Sequence, residues 1–532
     1  MAIIIIKKHF IPFFLLSLLI SCNSPQIASI KVQSDSRSIS KTYKEPVFTT
    51  DNRLEKIKGI APQMHALIEE HAKERHIPGV AYGIVVDTNL VVASATGMLD
   101  ISKELPAKTG SAFRIASMSK SFTAMAIMKL RDEGKLSLTD PAVNYIPEMG
   151  GLEYLTADSP DITIENLMTM TAGFPEDNPW GDRQLDETDQ MLLDLLTDGI
   201  AFSNPPSYTF EYSNTGYALL GNIISRVSGM PYQRYIKENI LMPLGMKHTY
   251  WEYANIPKEQ LAIGYRWEDD QWKLEPMLHD GSYGAMGGLI TSIEDFSKYV
   301  SFHLSAWPPR SDPESGPVKR STLREMHTPQ FPALNTGATD FNNKPCATVS
   351  GYGYGLGIHT NCKGLKLVRH GGALPGFASN YVFYPDYGIG IMAFGNLTYT
   401  APWPLKKIEK LLFETLELEP RKLPISDILR ERKQQVKQLI KGWNPELEQE
   451  LLAENFYMDK SREHRMAEAK GIFDKAGTVL EIEEIVPYNQ LRGRFKISTE
   501  KGFINVFFTL TPEKEAKLQQ LTLSFEPNSQ KK

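Results

Sequence analysis

Apolar residues run almost unbroken over 79–86 and again over 90–95, with the polar cluster Asp87-Thr88-Asn89 between them. Short apolar runs bounded by turn residues read as strands, and the intervening cluster closes them into a hairpin. Upstream, Leu54, Ile57, Ile60, Met64, Leu67 and Ile68 recur at helical spacing across 53–76. Downstream, a β-like run over 112–116 gives way to a helical one over 118–131, ending near Gly134. Leu138-Thr139-Asp140-Pro141 predicts a further helix, with Asp140 as N-cap and Pro141 at the first helical position. From 140 to about 308 the pattern is mostly helical, with many Pro and Gly interruptions. Strand-like runs return at 351–357 and 365–396, notably at 380–384 and 388–394, and 402–418 predicts a closing helix. Strands at both ends with helices between them argue for one α/β unit, in which the strands at 79–95 and 380–394 meet in one sheet.

After Pro420 the texture changes. Residues 425–475 are charged and helical in period, with Ile428, Leu429, Val436, Leu439 and Ile440 marking one face. Strand-like segments follow at 479–485, 491–497, 503–510 and 518–525. Helices followed by a meander predict a small α+β domain over 419–532. In outline it resembles the nuclear transport factor 2-like (cystatin-like) accessory domains.

At 532 residues the chain is long enough for two or three domains. Its 42% hydrophobic and 23% charged residues describe a folded protein, and a net charge of -5 gives no sign of a nucleic-acid-binding surface. The N-terminus adds a location. Lys7 and Lys8 precede the apolar run 10–20, which is too short to span a bilayer and suits the h-region of a signal peptide. The run ends in Leu19-Ile20-Ser21-Cys22, which resembles the lipobox of bacterial lipoproteins. That resemblance implies a leader over 1–21, lipidation of Cys22 as the first mature residue, and an exported protein of the cell envelope, periplasmic or anchored to the outer membrane. Residues 23–50 carry six serines and little apolar content, and read as a tether reaching at most about 90 Å when extended. The folded body is expected to start near Asp51.

Cys346 and Cys362 remain; in an oxidising compartment they could pair around a loop holding Gly351 and Gly357, or stay as two free thiols. No Cys/His cluster has zinc-ligand spacing, so the sequence predicts no metal site, and it points to no cofactor.

Within Phe113-Arg114-Ile115-Ala116-Ser117-Met118-Ser119-Lys120, a serine hydroxyl precedes a lysine by three residues where strand becomes helix. Positions i and i+3 share a helix face, so the amine can hang beside the hydroxyl. The S-x-x-K pattern also occurs at Ser38/Lys41, Ser498/Lys501 and Ser529/Lys532, but only Ser117 lies between a strand and a helix. Two further motifs follow in order. Tyr212-Ser213-Asn214, inside Phe210-Glu211-Tyr212-Ser213-Asn214-Thr215-Gly216-Tyr217, precedes a helical run. His370-Gly371-Gly372-Ala373 lies between two strand-like runs.

Together these resemble the three active-site elements of the serine β-lactamase and penicillin-binding-protein superfamily, S-x-x-K, Y-x-N and K/H-x-G. The flanks 287–295, Pro243-Leu244-Gly245-Met246 and Pro375-Gly376-Phe377 are similar to its class C-related branch, which includes D-alanyl-D-alanine carboxypeptidases and esterases. The resemblance covers about 51–418. It implies a β-lactamase/transpeptidase-like α/β fold, an antiparallel sheet flanked by helices with an inserted all-helical subdomain. Tyr253-Ala254-Asn255 and Lys108-Thr109-Gly110 are decoys: the first lacks the Thr-Gly-Tyr context and the second precedes the nucleophile.

The chemistry follows from residue type. Ser117 needs a neighbour to take its proton. Either Lys120, with its pKa pulled down, or Tyr212, as phenolate, could do so, and the sequence does not divide the role. Asn214 would hold Lys120 or a substrate amide. His370 would bind a substrate carboxylate when protonated or relay a proton when neutral, with Gly371 and Gly372 beside it in the substrate groove. The resemblance implies an oxyanion hole from the backbone N–H groups of Ser117 and Ala373. Two departures stand out. Met170 and Ala172 replace the histidine and serine usual in an H-T-S-G segment, and His370 replaces lysine, an exchange commoner in peptidase and esterase branches than in true β-lactamases.

The expectation is a lipid-anchored serine hydrolase that forms an acyl-enzyme on a small-molecule or peptide substrate: a D-amino-acid peptide, an ester or a β-lactam. The alternative is a catalytically silent relative that binds peptidoglycan or a protein partner. No G-x-S-x-G elbow occurs, which argues against an α/β-hydrolase.

Overall fold

A computed structural model describes residues 38–528. The leader at 1–21, Cys22, the tether up to residue 37 and the Ser529/Lys532 pair lie outside the described residues. The compact unit begins at Lys44. Val47 bridges Lys422 in both directions, so the folded unit takes in residues that the sequence pattern assigns to the tether.

The central element is an antiparallel nine-stranded sheet. In chain order its strands are β1 (Gly79–Val86), β2 (Asn89–Asp100) and β3 (Leu105–Pro106), then β8 (Gln330–Asn335), β9 (Thr348–Tyr352), β10 (Gly357–Asn361), β11 (Lys366–Leu374), β12 (Phe377–Tyr384) and β13 (Ile389–Gly395). Their spatial order is β3-β2-β1-β13-β12-β11-β10-β9-β8. The two ends of the sequence meet at β1 and β13, where Tyr82 pairs with Ala393.

The runs 79–86 and 389–395 are apolar throughout because the sheet is covered on both faces. Ala81, Val85, Met392 and Phe394 face one core. Val80, Tyr82, Ile84, Ile391 and Ala393 face the other. That second face is covered by α1 (Arg53–Gly59), α2 (Ala61–Glu74) and α12 (Leu405–Lys410). The sequence reads 53–76 as one helix, but Pro62 at the start of α2 has no N–H to continue α1.

The first face carries the inserted helical layer. It holds α3 (Lys120–Asp132), α4 (Ile164–Thr169), α5 (Asn178–Gly181), α6 (Asp189–Asp198), α7 (Asn214–Ser228), α8 (Tyr232–Ile236), α9 (Gly284–Gly287), α10 (Ile293–Leu304) and α11 (Arg320–Met326). The insertion is not all-helical. Phe113–Arg114 (β4) pairs with Ile290–Thr291 (β7), and Tyr265–Glu268 (β5) with Gln271–Leu274 (β6). The helix expected from Asp140 is also absent. Pro141 is extended (ψ 129°) and only a 3₁₀ turn, Ala142–Asn144, follows. The Asp140 carboxylate instead accepts from Ser137 N and the Tyr145 hydroxyl, local bonds that compete with a helix start.

Cys346 and Cys362 are joined in a disulfide. The C-terminal part packs α13 (Asp427–Gly442), α14 (Pro445–Leu451) and α15 (Arg462–Ala476) on a second antiparallel sheet of β14 (Val479–Ile482), β15 (Val486–Asn489), β16 (Arg492–Thr499), β17 (Gly502–Leu510) and β18 (Leu518–Pro527). Its strict alternation along β17 shows one face buried against those helices. Among the described residues, no helix is long and apolar enough to cross a membrane, and no group of His, Cys, Asp and Glu is placed to hold a metal ion.

Candidate active site

The strand run 112–116 is shorter than its pattern implies: β4 ends at Arg114, and Ala116 turns the chain with φ 49°. That conformation is strained for a residue with a Cβ, and such strain persists where the surroundings hold it. A 3₁₀ turn, Ala116–Ser119, follows and runs directly into α3. In a 3₁₀ turn the side chains at i and i+3 eclipse. Lys120 Nζ accordingly lies 3.1 Å from Ser117 Oγ. Ser119 pins the turn by donating to Ala116 O and accepting from Leu289 N.

Lys120 is fully buried, and its Nζ has two further oxygen acceptors, Asn214 Oδ1 at 2.6 Å and Met286 O at 3.0 Å, with the Met286 sulfur at 3.8 Å. Asn214 opens α7, with Ser213 as N-cap. Asp177 fixes that turn by accepting from Asn214 N, Thr215 N and Thr215 Oγ1, which explains a buried carboxylate at a helix N-terminus. Asn214 Nδ2 donates to Asn178 Oδ1, so its amide oxygen points at the lysine. Tyr212, just before this helix, is half-buried, and its titration feels the Ser117 hydroxyl. Its ring centroid is 5.0 Å from Lys120 Nζ.

β11 completes the cluster. His370 and Gly372 project to the same side as Val368 and Leu374, toward the core that holds Ser117. The sequence places His370 between strands; the structure places it within one. A Cβ on Gly372 would come 2.1 Å from Ile115 O and 3.0 Å from the Ala116 Cβ, so only glycine lets the strand lie against the nucleophile turn. Ala373 is the next residue on that strand.

Burial sets the protonation states. It lowers the Lys120 amine to about 7, against the opposing pull of the Asp182 and Asp177 carboxylates. It raises the Tyr212 phenol above its ordinary value, against the opposing influence of the Ser117 hydroxyl. Asp182, which accepts from Tyr399, is pushed up to about 6, chiefly by burial. His370 is lowered to about 3 by burial and by the charge of Lys120. The His370 ring is therefore neutral at ordinary pH. Its Nδ1 donates to Gly371 O and its Nε2 accepts from the Tyr352 hydroxyl. Of the two roles open to His370 from sequence, the protonated one is unpopulated near neutrality.

The structure thus brings together Ser117, Lys120, Tyr212, Asn214 and His370. The decoys fall elsewhere: Tyr253 pairs with His279, and Thr109 bonds Glu294 at the surface. Met170 ends α4 in the left-handed conformation (φ 58°) and is buried, and Thr171 accepts from Asn166; that segment is packing. Sequence reading missed Met286 O, Asp177, Asp182 and Tyr352. A backbone carbonyl carries no residue-type signal, and an isolated Asp or Tyr matches no motif.

Comparison with known proteins bears on the family and the fold. The chain is 30% identical over 339 residues to "Protein flp" of Staphylococcus aureus (strain MW2), covering 63% of each chain. It is 30% identical over 335 residues to "Beta-lactamase-like protein 2" of Dictyostelium discoideum, covering 61% of this chain and 56% of the relative. The match therefore spans somewhat under two thirds of these relatives' lengths. Among solved structures, the octameric penicillin-binding protein homologue from Pyrococcus abyssi matches with TM-score 0.55 and 23% identity, over 87% of this chain and 95% of its own. A penicillin-binding protein from Bacillus halodurans matches with TM-score 0.50 and 23% identity, over 63% of this chain and 95% of its own. Both share the penicillin-binding-protein fold. The family model described as Beta-lactamase matches residues 64–412, a stretch that holds all five site residues, and the chain belongs to that family.

Proposed function

We propose that the protein is a serine hydrolase that forms an acyl-enzyme at Ser117 on an amide or ester substrate. The observation that carries this reading is the set of acceptors around Lys120. Asn214 Oδ1 and Met286 O can only accept, so each takes an N–H. The third position on Nζ faces Ser117 Oγ. In the ammonium form an N–H fills it; in the amine form a lone pair does, aimed at the serine proton. A pKa of about 7 populates the amine near neutrality.

Lys120 takes the proton as Ser117 Oγ bonds to the substrate carbonyl carbon. The Ser117 and Ala373 N–H groups, adjoining where Gly372 meets the turn, receive the oxyanion. Tyr212, kept protonated by burial, donates to the departing nitrogen or oxygen as the scissile bond breaks. Water then cleaves the acyl-enzyme by the same route in reverse. Neutral His370 orients Tyr352 rather than binding a carboxylate.

The N-terminal pattern supports a location at the cell envelope, on a lipid anchor at Cys22; Cys22→Ser would then move the protein out of the membrane fraction. The activity is tested with a panel of esters, β-lactams and D-amino-acid peptides. Turnover of at least one class that Ser117→Ala and Lys120→Met both abolish supports the reading. No turnover of any class by the wild type, or equal turnover by Ser117→Ala, overturns it.

A further inference from the structure

A cavity of about 770 Å³ opens beside the site, lined by Tyr212, Tyr352 and His370 and by Arg369, His359 and Asn380. Within the sheet, His370 lies on one face and Arg369, His359 and Asn380 on the other. His370 and Tyr381 face the Ser117 core, whereas Leu367 and Val382 pack on the other face, the face that Arg369 and Asn380 share by strand alternation. The cavity can reach both because β10 stops early. It pairs with β11 only as far as Gly357 opposite Arg369, which leaves β11 beyond that residue without β10 beside it. Gly351, Gly357 and Gly371 add no side chains there.

On the far face Arg369 is held but not neutralised. Its Nε donates to His359 Nε2 at 3.2 Å, and His359 Nδ1 meets Ser350 Oγ at 2.7 Å. That chain fixes the tautomer: Nε2 accepts, so Nδ1 carries the proton. Glu409, whose titration feels Arg369, accepts instead from Tyr384 and makes no ion pair with the guanidinium among the described contacts. The two Nη groups thus have no partner among the described residues, and they present a fork suited to a carboxylate. The Asn380 amide lines the cavity next to it, with Phe210 and Phe331 supplying apolar wall.

We infer that Arg369, positioned by His359, selects extended substrates that pass the open edge of β11 and carry a carboxylate remote from the scissile bond. Three residue steps along the strand take Arg369 to Gly372 at the nucleophile turn, about 10 Å of backbone, before the change of face is added. A carboxylate directly beside the scissile carbonyl cannot span that. The inference rests on the hydrolase reading above and deepens it.

The test uses two ester series of increasing chain length, one with a terminal carboxylate on the acyl chain and one with it on the leaving alcohol. Each member is paired with its neutral methyl-capped counterpart. In one series the longer acids should be preferred over their neutral partners by about tenfold or more in kcat/KM, chiefly through KM, with no preference in the shortest members. In Arg369→Gln the acid-to-neutral ratio should fall to about 1, and Arg369→Lys should keep part of it. His359→Ala should raise KM for the long acids more than it lowers kcat, and His359→Gln, whose amide oxygen can accept from Nε, should recover part of the loss. Equal use of acids and neutral esters at every length in both series, or a preference that survives Arg369→Gln, overturns the inference while leaving the hydrolase intact. Hydrolysis of no ester by the wild type overturns this inference, while the hydrolase reading then stands or falls on the β-lactam and D-amino-acid peptide arms of its own panel.

Discussion

Lys120 Nζ donates to Asn214 Oδ1 across 2.6 Å, and both side chains are fully buried. The amide supplies an acceptor without a charge, so it orients the amine without stabilising the ammonium as a carboxylate would. Asn214→Asp places an anion there and should raise the Lys120 pKa. The acid limb of the kcat/KM profile should move to higher pH by one unit or more, with most activity recovered at alkaline pH. An unshifted limb would show that Asn214 does not set the charge state of Lys120.

The pH dependence of the wild type follows from the same group. Its folded pKa of about 7 lies below the unfolded value, so the amine is the folded form between about 7 and the ordinary lysine value. Activity should rise through an apparent pKa near 7 and not fall again as Tyr212 or His370 titrate, because burial displaces both from the neutral range. The unfolded chain binds the extra proton in that window, so stability should also rise with pH there. Lys120→Met should remove this rise, measured by urea unfolding at pH 7 and pH 9.

Gly372 allows β11 to lie against the turn that carries Ser117. Gly372→Ala puts a Cβ 2.1 Å from Ile115 O and should cost about 1–3 kcal/mol by forcing the two apart. Activity should fall far more than the folded fraction does, read by thermal unfolding beside active-site titration.

The buried pair His303 and His327 should set part of the acid stability. Trp307 Nε1 donates to His327 Nδ1, so the His327 Nε2 proton goes to His303 Nδ1, and both rings are neutral. Burial lowers His303 to about 3 and His327 well below its ordinary value. The unfolded chain takes up these protons first, so stability should fall as pH drops below the ordinary histidine value toward 3. His303→Leu should lose less stability than the wild type between pH 7 and pH 5 in denaturant titrations.

The disulfide between Cys346 and Cys362 closes a loop of sequence separation 16 that includes the whole of β9 and β10. Cys346→Ser should lower stability by about 3 kcal/mol through the unfolded chain. It should also raise KM, because Ser350, Gly351, Tyr352 and Gly357 line the cavity.

Much of this architecture can be read from the sequence where one physical requirement dominates. The runs 79–86 and 389–395 are legible as strands because both faces are buried, and the pairing of Tyr82 with Ala393 joins them as the pattern requires. Ser117, Lys120, Tyr212, Asn214 and His370 are legible because side-chain chemistry at fixed spacing recurs in order. What stays hidden depends on partners distant in sequence. Asp177 and the Met286 carbonyl reach the site only through the packing of α5 and α9 against α7 and α3. Asp140 looks like a helix cap until Ser137 and Tyr145 take its carboxylate. Arg369 reads as an ordinary strand residue, since its value depends on where β10 stops.

The most direct measurement is the site of covalent capture. The protein is treated with a fluorophosphonate and with a fluorescent penicillin, and the adduct is located by peptide mass spectrometry. A single adduct on Ser117 from at least one reagent, lost in Ser117→Ala and slowed roughly 10⁴-fold or more in Lys120→Met, is the predicted result. An adduct on another residue, equal labelling of Ser117→Ala, or no adduct together with no turnover would contradict the assignment of Ser117 as the nucleophile.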